Sequence, residues 1–227
     1  QAALPLDANK LKTQVAQTRT VQPKSFAERL ERPIQVAQGS YAPKGWVIDS
    51  YVLSGTQSSF TFTNGTTYII TNSFGVGTGT ATFQTNCVIK YATNAYLYAW
   101  GPVSFPASGI NPVMTSKDDN LIGDVISGST GNPTYSAAKA FWVYFPGSGT
   151  TVQNLVIRYA QKGLYYNENS TNPVHYVSNV AFRDCSTGIY NDQSSVTISS
   201  SKKCDVTTEK TYVNNGSFSG SLADDCP

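Results

Sequence analysis

Apolar and polar residues alternate along a stretch that the chain nearly repeats. In VQNLVIRYAQKGLYY (152–166), Leu155, Ile157 and Tyr159 fall on one side of an extended chain and Val156 and Arg158 on the other. That is the two-residue period of a strand and not the period of a helix. Twenty-five residues later the pattern returns as VSNVAFRDCSTGIYN (177–191), with Val152/Val177, Asn154/Asn179, Arg158/Arg183, Gly163/Gly188 and Tyr165/Tyr190 matched. A third copy, NCVIKYATNAYLY (86–98), keeps the order with Lys90 in the Arg position. A repeat of this length marks stacked units, none of which buries its apolar face alone. Two amphipathic helices do not fit between the copies, and leucine does not recur at leucine-rich-repeat spacing. The spacing predicts short strands joined by tight turns, each coil stacking parallel on the next about 4.8 Å away.

Asn86, Asn154 and Asn179 each stand just before a strand. Asn tolerates the left-handed backbone region, so it suits a sharp turn, and stacked copies would share side-chain amide bonds. AFWVYF (140–145) and NPVMTSKDD (111–119) read as strands of intervening coils, and the stretch from Asn86 to Asn154 has room for three coils including one lengthened loop.

These motifs, N-L-V-I-R-Y…G-L-Y, N-V-A-F-R-D…G-I-Y and N-C-V-I-K-Y, resemble the right-handed parallel β-helix superfamily, the architecture of pectate lyases and many secreted bacterial repeat proteins. The resemblance implies an all-β, single-stranded right-handed solenoid over residues 46–227, of roughly eight coils at 20–25 residues each. Residues 1–45 break from the repeat. Residues 1–24 are polar and form an arm; SFAERLERPIQVAQ (25–38) has capping-box spacing at Ser25 and Glu28, then Phe26, Leu30, Ile34 and Ala37 at helical intervals. A short N-terminal capping helix over the first coil is expected there, divided at Pro33.

Composition narrows the setting. Charged residues make up 13% of 227, well below the usual quarter, and the net charge is +2. Residues 1–45 carry seven Lys/Arg against three Asp/Glu, and the remainder nine against eleven. Neither balance argues for nucleic acid, and no apolar run is long enough for a membrane span. The chain starts at Gln-Ala-Ala with Met114 as its only methionine, which fits a processed secreted or cell-surface protein, or a fragment.

Four cysteines allow three complete pairings. With coils of about 24 residues, Cys204 falls in the inward column of Leu155 and Val180 and Cys226 one coil later, inside disulfide reach. A Cys204–Cys226 bridge is expected to close the last coil. Cys87 shares the column several coils away and Cys185 occupies another, so both read as free buried thiols.

Candidate chemistry is sparse. Against a polygalacturonase-like site, the single histidine, His175, lacks flanking glycines, reads as a loop residue, and Arg-x-Lys is absent. No catalytic residue is assigned. Asp118, Asp119 and Asp124 sit in the longest insertion, residues 117–135; no cofactor is expected beyond a Ca²⁺ ion that these hard oxygen ligands could hold. Arg158 and Arg183 should stack on the outer face with Lys90 lower in the column, a cationic strip suited to an acidic polysaccharide unless Asp184 or Glu168 neutralises it. The tyrosines, with Trp46, Trp100 and Trp142, offer sugar-stacking surface or ordinary sheet packing. Asn64, Asn169 and Asn215 match the glycosylation pattern.

Two functions follow. The first is a secreted, non-catalytic structural subunit that self-assembles into a filament or surface layer through its arm and solenoid ends. The second is an extracellular polysaccharide-binding or polysaccharide-degrading protein.

Overall fold

The computed structural model describes residues 50–144, 146, 148–167 and 173–226. The expected arm and capping helix, Trp46 and the acceptor site at Asn169 lie outside them. The chain divides into two units, Gln1–Trp46 and Val47–Pro227.

Among the described residues there are sixteen strands and no helix. They are β1 (Tyr51–Gln57), β2 (Phe60–Phe62), β3 (Thr67–Val76), β4 (Ala81–Phe83), β5 (Val88–Tyr91), β6 (Tyr96–Ala99), β7 (Val103–Ser104) and β8 (Val113–Ser116). Then follow β9 (Lys139–Tyr144), β10 (Thr151–Arg158), β11 (Lys162–Asn167), β12 (Val174–Asp192), β13 (Ser195–Ser199), β14 (Lys202–Val213), β15 (Ser217–Ser219) and β16 (Ala223–Asp224). The ladders between them are parallel, as stacked coils require.

The fold is a parallel β-solenoid of about seven turns. One column passes Val52, Ile69, Lys90, Thr115, Arg158, Arg183, Cys204 and Asp225, each one turn from the next and seven turns from first to last. The repeat read from the sequence is the ladder itself: Val152 pairs with Val177, Leu155 with Val180, Arg158 with Arg183 and Tyr165 with Tyr190. Seven turns stand where eight were expected because two coils, not three, separate Asn86 from Asn154; residues 117–135 leave the wall as a loop and add no rung.

Each coil bends at corners that force positive φ. Asn86, Asn154, Asn179 and Ser200 take φ of 57°, 51°, 52° and 48° at one corner; Tyr159, Asp184 and Asp205 take 54°, 50° and 51° at the next. Asn and Asp enter this region at least cost among residues with a Cβ. Asn179 Nδ2 donates to Asn154 Oδ1 at 2.6 Å, so the two amides share a bond across coils. Tyr159 belongs to a corner, which is where strand alternation stops.

Between corners the walls alternate. Leu155, Ile157, Val180, Phe182, Leu164 and Ile189 point inward and are fully or almost fully buried, each such side chain contributing roughly 1.5–3 kcal/mol. Phe62, Phe83 and Phe105 stack face to face at 4.7 and 4.6 Å along the interior. The recurrent Gly163 and Gly188 lie inside strands, not in turns. A Cβ on Gly163 would stand 2.6 Å from the Gly188 carbonyl oxygen, and one on Gly188 2.7 Å from that of Glu209. Neighbouring coils approach there too closely for any side chain.

The Cys204–Cys226 disulfide is present, with Cα atoms 4.9 Å apart. Its column differs from expectation. Val180 and the residue above it, Ser201, are 21 positions apart rather than about 24, so Ser201 takes the Leu155–Val180 column and Cys204 pairs with Arg183. Cys87 and Cys185 are free and buried, and burial pushes each thiol up to about 12.

Candidate functional site

The solenoid presents two chemically different outer walls. The first carries the Arg158 column. Arg158 and Arg183 are in register as expected, with Lys90 two rungs below Arg158. They do not form an open cationic strip. The 117–135 loop folds back over Lys90, which is fully buried; its Nζ donates to the carbonyl oxygens of Asp119 at 2.9 Å and Asp124 at 2.5 Å. Burial holds the Lys90 pKa below the usual lysine range, partly offset by Asp119 and Asp124. Asp119 turns inward, pairs with Arg158 Nη1 at 3.1 Å, and accepts from Thr115 Oγ1 at 2.7 Å and the Leu121 amide at 3.1 Å. Asp184 adds a weaker contact to Arg158 at 3.9 Å, and Arg183 meets Asp225 at 3.7 Å.

The expected carboxylate trio is therefore dispersed. Asp118 meets Lys117 at 2.7 Å and accepts from the Thr130 amide at 2.7 Å, while Asp119 faces Arg158. Among the described residues the only His/Cys/Asp/Glu group that converges is Cys204, Asp205 and Cys226, and its sulfurs are joined in the disulfide. The positive charge at the foot of the loop is the Lys90 ammonium. His175 is not a loop residue: it sits in β12, fully buried, stacked on Tyr166 at 4.5 Å, with Nδ1 accepting the Thr150 amide at 3.1 Å. Asn64 and Asn215 are exposed.

The other wall is aromatic. Strands β6, β9, β11 and β12 bury Leu97, Ala99, Val143, Leu164 and Ile189 and turn the alternate positions outward. Register then places Tyr98, Trp142, Tyr165 and Tyr190 in one column over four turns. Ring centroids are 6.1 Å apart for Tyr98–Trp142, 5.4 Å for Trp142–Tyr165 and 5.0 Å for Tyr165–Tyr190. Trp100 and Tyr144 flank the column on one side, 5.7 Å from each other, and Tyr144 lies 4.4 Å from Trp142. Tyr96 flanks it on the other, 6.0 Å from Trp142. The base is shaped to receive these rings: Gly75 lies under Tyr98, and a Cβ there would stand 2.2 Å from the Tyr98 ring. Thr56 fixes the Tyr98 hydroxyl at 2.8 Å.

Two lysines lie among the rings. Lys139 Nζ is 3.4 Å from the Trp142 centroid and 4.8 Å from that of Tyr165; Lys162 Nζ is 4.3 Å from that of Tyr190. Burial, with Lys162 nearby, lowers the Lys139 pKa to about 8. At the upper end of the wall Asp192 accepts from Asn167 at 2.9 Å and Asn214 at 2.8 Å.

Such cross-strand aromatic pairs stabilise a sheet, and the wall gathers seven rings on its outer side, Trp100 exposed and the other six half-buried. The sequence offers the tyrosines, Trp100 and Trp142 as stacking residues, but not their alignment into a wall. The signal was present in YLYAW, FWVY, GLYYN and GIYND, where aromatic residues alternate with inward residues at matching positions. No helix among the described residues is long and apolar enough to cross a membrane. No family model, no curated protein and no solved structure matches the chain.

Proposed function

We propose that the solenoid is an extracellular polysaccharide-binding protein whose ligand lies along the aromatic wall. The supporting observation is the column Tyr98–Trp142–Tyr165–Tyr190 with Tyr96, Trp100 and Tyr144 beside it. Pyranose rings carry C–H groups on their faces, which pack against the electron-rich faces of aromatic rings. A wall that repeats at every turn suits a ligand that repeats as well. The Cys204–Cys226 disulfide supports an oxidising compartment, and the loose likeness to pectate-lyase-like solenoids supports a glycan ligand by analogy alone. The reading is one of binding. Glycoside hydrolysis commonly uses two flanking carboxylates, whereas Asp192 on this wall is engaged by Asn167 and Asn214.

Affinity electrophoresis through gels containing soluble glycans tests the proposal, with Trp142→Ala as the comparison. Retardation that weakens in the variant supports it; unretarded migration in every glycan sinks it.

A second reading, a self-associating subunit, draws on a different observation. Strand β14 pairs with β12 over most of its length, while β16 covers only Lys202 and Lys203 on its far side. That edge can accept a strand from a second copy. Sedimentation velocity over a concentration series tests it, and a single monomeric species throughout counts against it.

A further inference from the structure

The charge on the aromatic wall is distributed unlike the charge elsewhere. Among the described residues, Lys117, Arg158, Arg183, Lys202, Lys203 and Lys210 each pair with a carboxylate. Lys90 is buried against backbone carbonyls. Lys139 and Lys162 remain, and neither forms an ion pair with a described residue. They occupy the same column one turn apart, alongside Trp142 and Tyr165. Asp192, the wall's own carboxylate, is held by two amides instead.

We infer that the glycan taken by this wall is anionic, its carboxylate or sulfate groups meeting the Lys139 and Lys162 ammonium ions while its sugar faces stack on the Trp142 column. The inference rests on the glycan-binding reading and names the ligand class. Stacking on a ring satisfies one side of an ammonium; its three N–H donors are not all spent there. Each ammonium lies near more than one ring, Lys139 by Trp142 and Tyr165 and Lys162 by Tyr165 and Tyr190, so less side-chain freedom is lost when an anion arrives. The two cations also repel each other across one turn. An anion between them removes that repulsion, so the ligand gains more from the pair than from two isolated lysines.

A pH signature follows. Lys139 faces Lys162, Tyr96, Trp142 and Tyr165, with Tyr190 and Asp192 beyond. Its free-state pKa is about 8. A bound anion raises it, so binding takes up a proton and weakens as pH rises through that value.

Affinity electrophoresis at pH 7 and low salt compares alginate (carboxylate), κ-carrageenan (sulfate) and neutral xyloglucan, using the wild type and the Lys139→Met/Lys162→Met double variant. The expected result is roughly tenfold tighter binding of at least one anionic polymer than of xyloglucan. That ratio should fall towards one in the double variant, at high salt and above pH 9. Which polymer wins identifies the anionic group. Xyloglucan bound as tightly as both acidic polymers overturns the inference and leaves the glycan reading standing. Binding of none of them removes both. If the double variant misfolds by circular dichroism, the salt and pH series on the wild type decides: insensitivity to both overturns the inference.

Discussion

Replacing Asp119 with Ala should cost more stability than any other single change on the Arg158 wall. The Asp119 side chain is 1% exposed and that of Arg158 18%, so water does little to screen either. Removing one partner of a buried ion pair typically costs about 3–5 kcal/mol, because the other charge stays buried and uncompensated. Asp184 remains near Arg158 at 3.9 Å and recovers part of that. The Thr115 hydroxyl and the Leu121 amide lose their acceptor as well, at about 1 kcal/mol each or less where water reaches them. The sum is about 3–4 kcal/mol, which for a domain of this size lowers Tm by roughly 6–16 °C. Urea unfolding followed by tyrosine and tryptophan fluorescence measures it, with an unchanged m-value showing that the same surface unfolds. Replacing both partners, Asp119→Leu with Arg158→Met, should restore part of the loss, since a buried pair exchanged for apolar residues is often close to neutral. A single-variant loss below about 1 kcal/mol would refute the reasoning and mean that Arg158 reaches water. The 117–135 loop provides a second readout: without Asp119 its anchorage falls to Lys90 and Thr67, and trypsin should cut after Lys117 sooner than in the wild type.

Three further outcomes follow from the geometry. Gly75→Val should displace the Tyr98 ring, destabilise the domain by about 1–3 kcal/mol and weaken glycan retardation; a variant of wild-type stability would mean that the ring moves without cost. Reduction of Cys204–Cys226, which lie 22 residues apart, should cost about 3 kcal/mol on chain-entropy grounds, read as a drop in the urea midpoint and absent in a Cys204→Ser/Cys226→Ser variant. Cys87 and Cys185, with thiols pushed up to about 12 by burial, should resist Ellman's reagent at pH 8 until the chain is unfolded; rapid labelling of the native protein would contradict their burial.

The repeat was legible because a solenoid writes its register into the chain. Residues that stack must be alike, so Arg158/Arg183 and Tyr165/Tyr190 recur in the sequence and pair in the ladder. Coil length was less legible. Residues 117–135 read as an insertion, but only the return of Val156 onto Val113 shows that two coils and not three lie between Asn86 and Asn154. The short upper coils displaced Cys204 to the Arg183 column, yet the bridge survived because one turn still separates the two sulfurs. The fate of Lys90 could not be read. Its partners come from a loop 29 and 34 residues further on, and nothing local reports such a fold-back.

The contrast between the two walls is what makes a binding face recognisable without a catalytic motif. Both walls carry cations in register, and spacing alone would rank Arg158 and Arg183 above Lys139 and Lys162, because guanidinium groups grip anions better. Packing reverses that order. Arg158 is held by Asp119 from the loop and Arg183 by Asp225 from the last turn, so an anion arriving there would have to displace a carboxylate already in place. At Lys139 and Lys162 no described carboxylate stands in the way, and it would gain aromatic contact besides. A charge neutralised within its own fold supports structure; a charge set among rings and without a counter-ion among the described residues is available to a ligand. On that criterion the aromatic wall, and not the arginine column, is where binding should be sought.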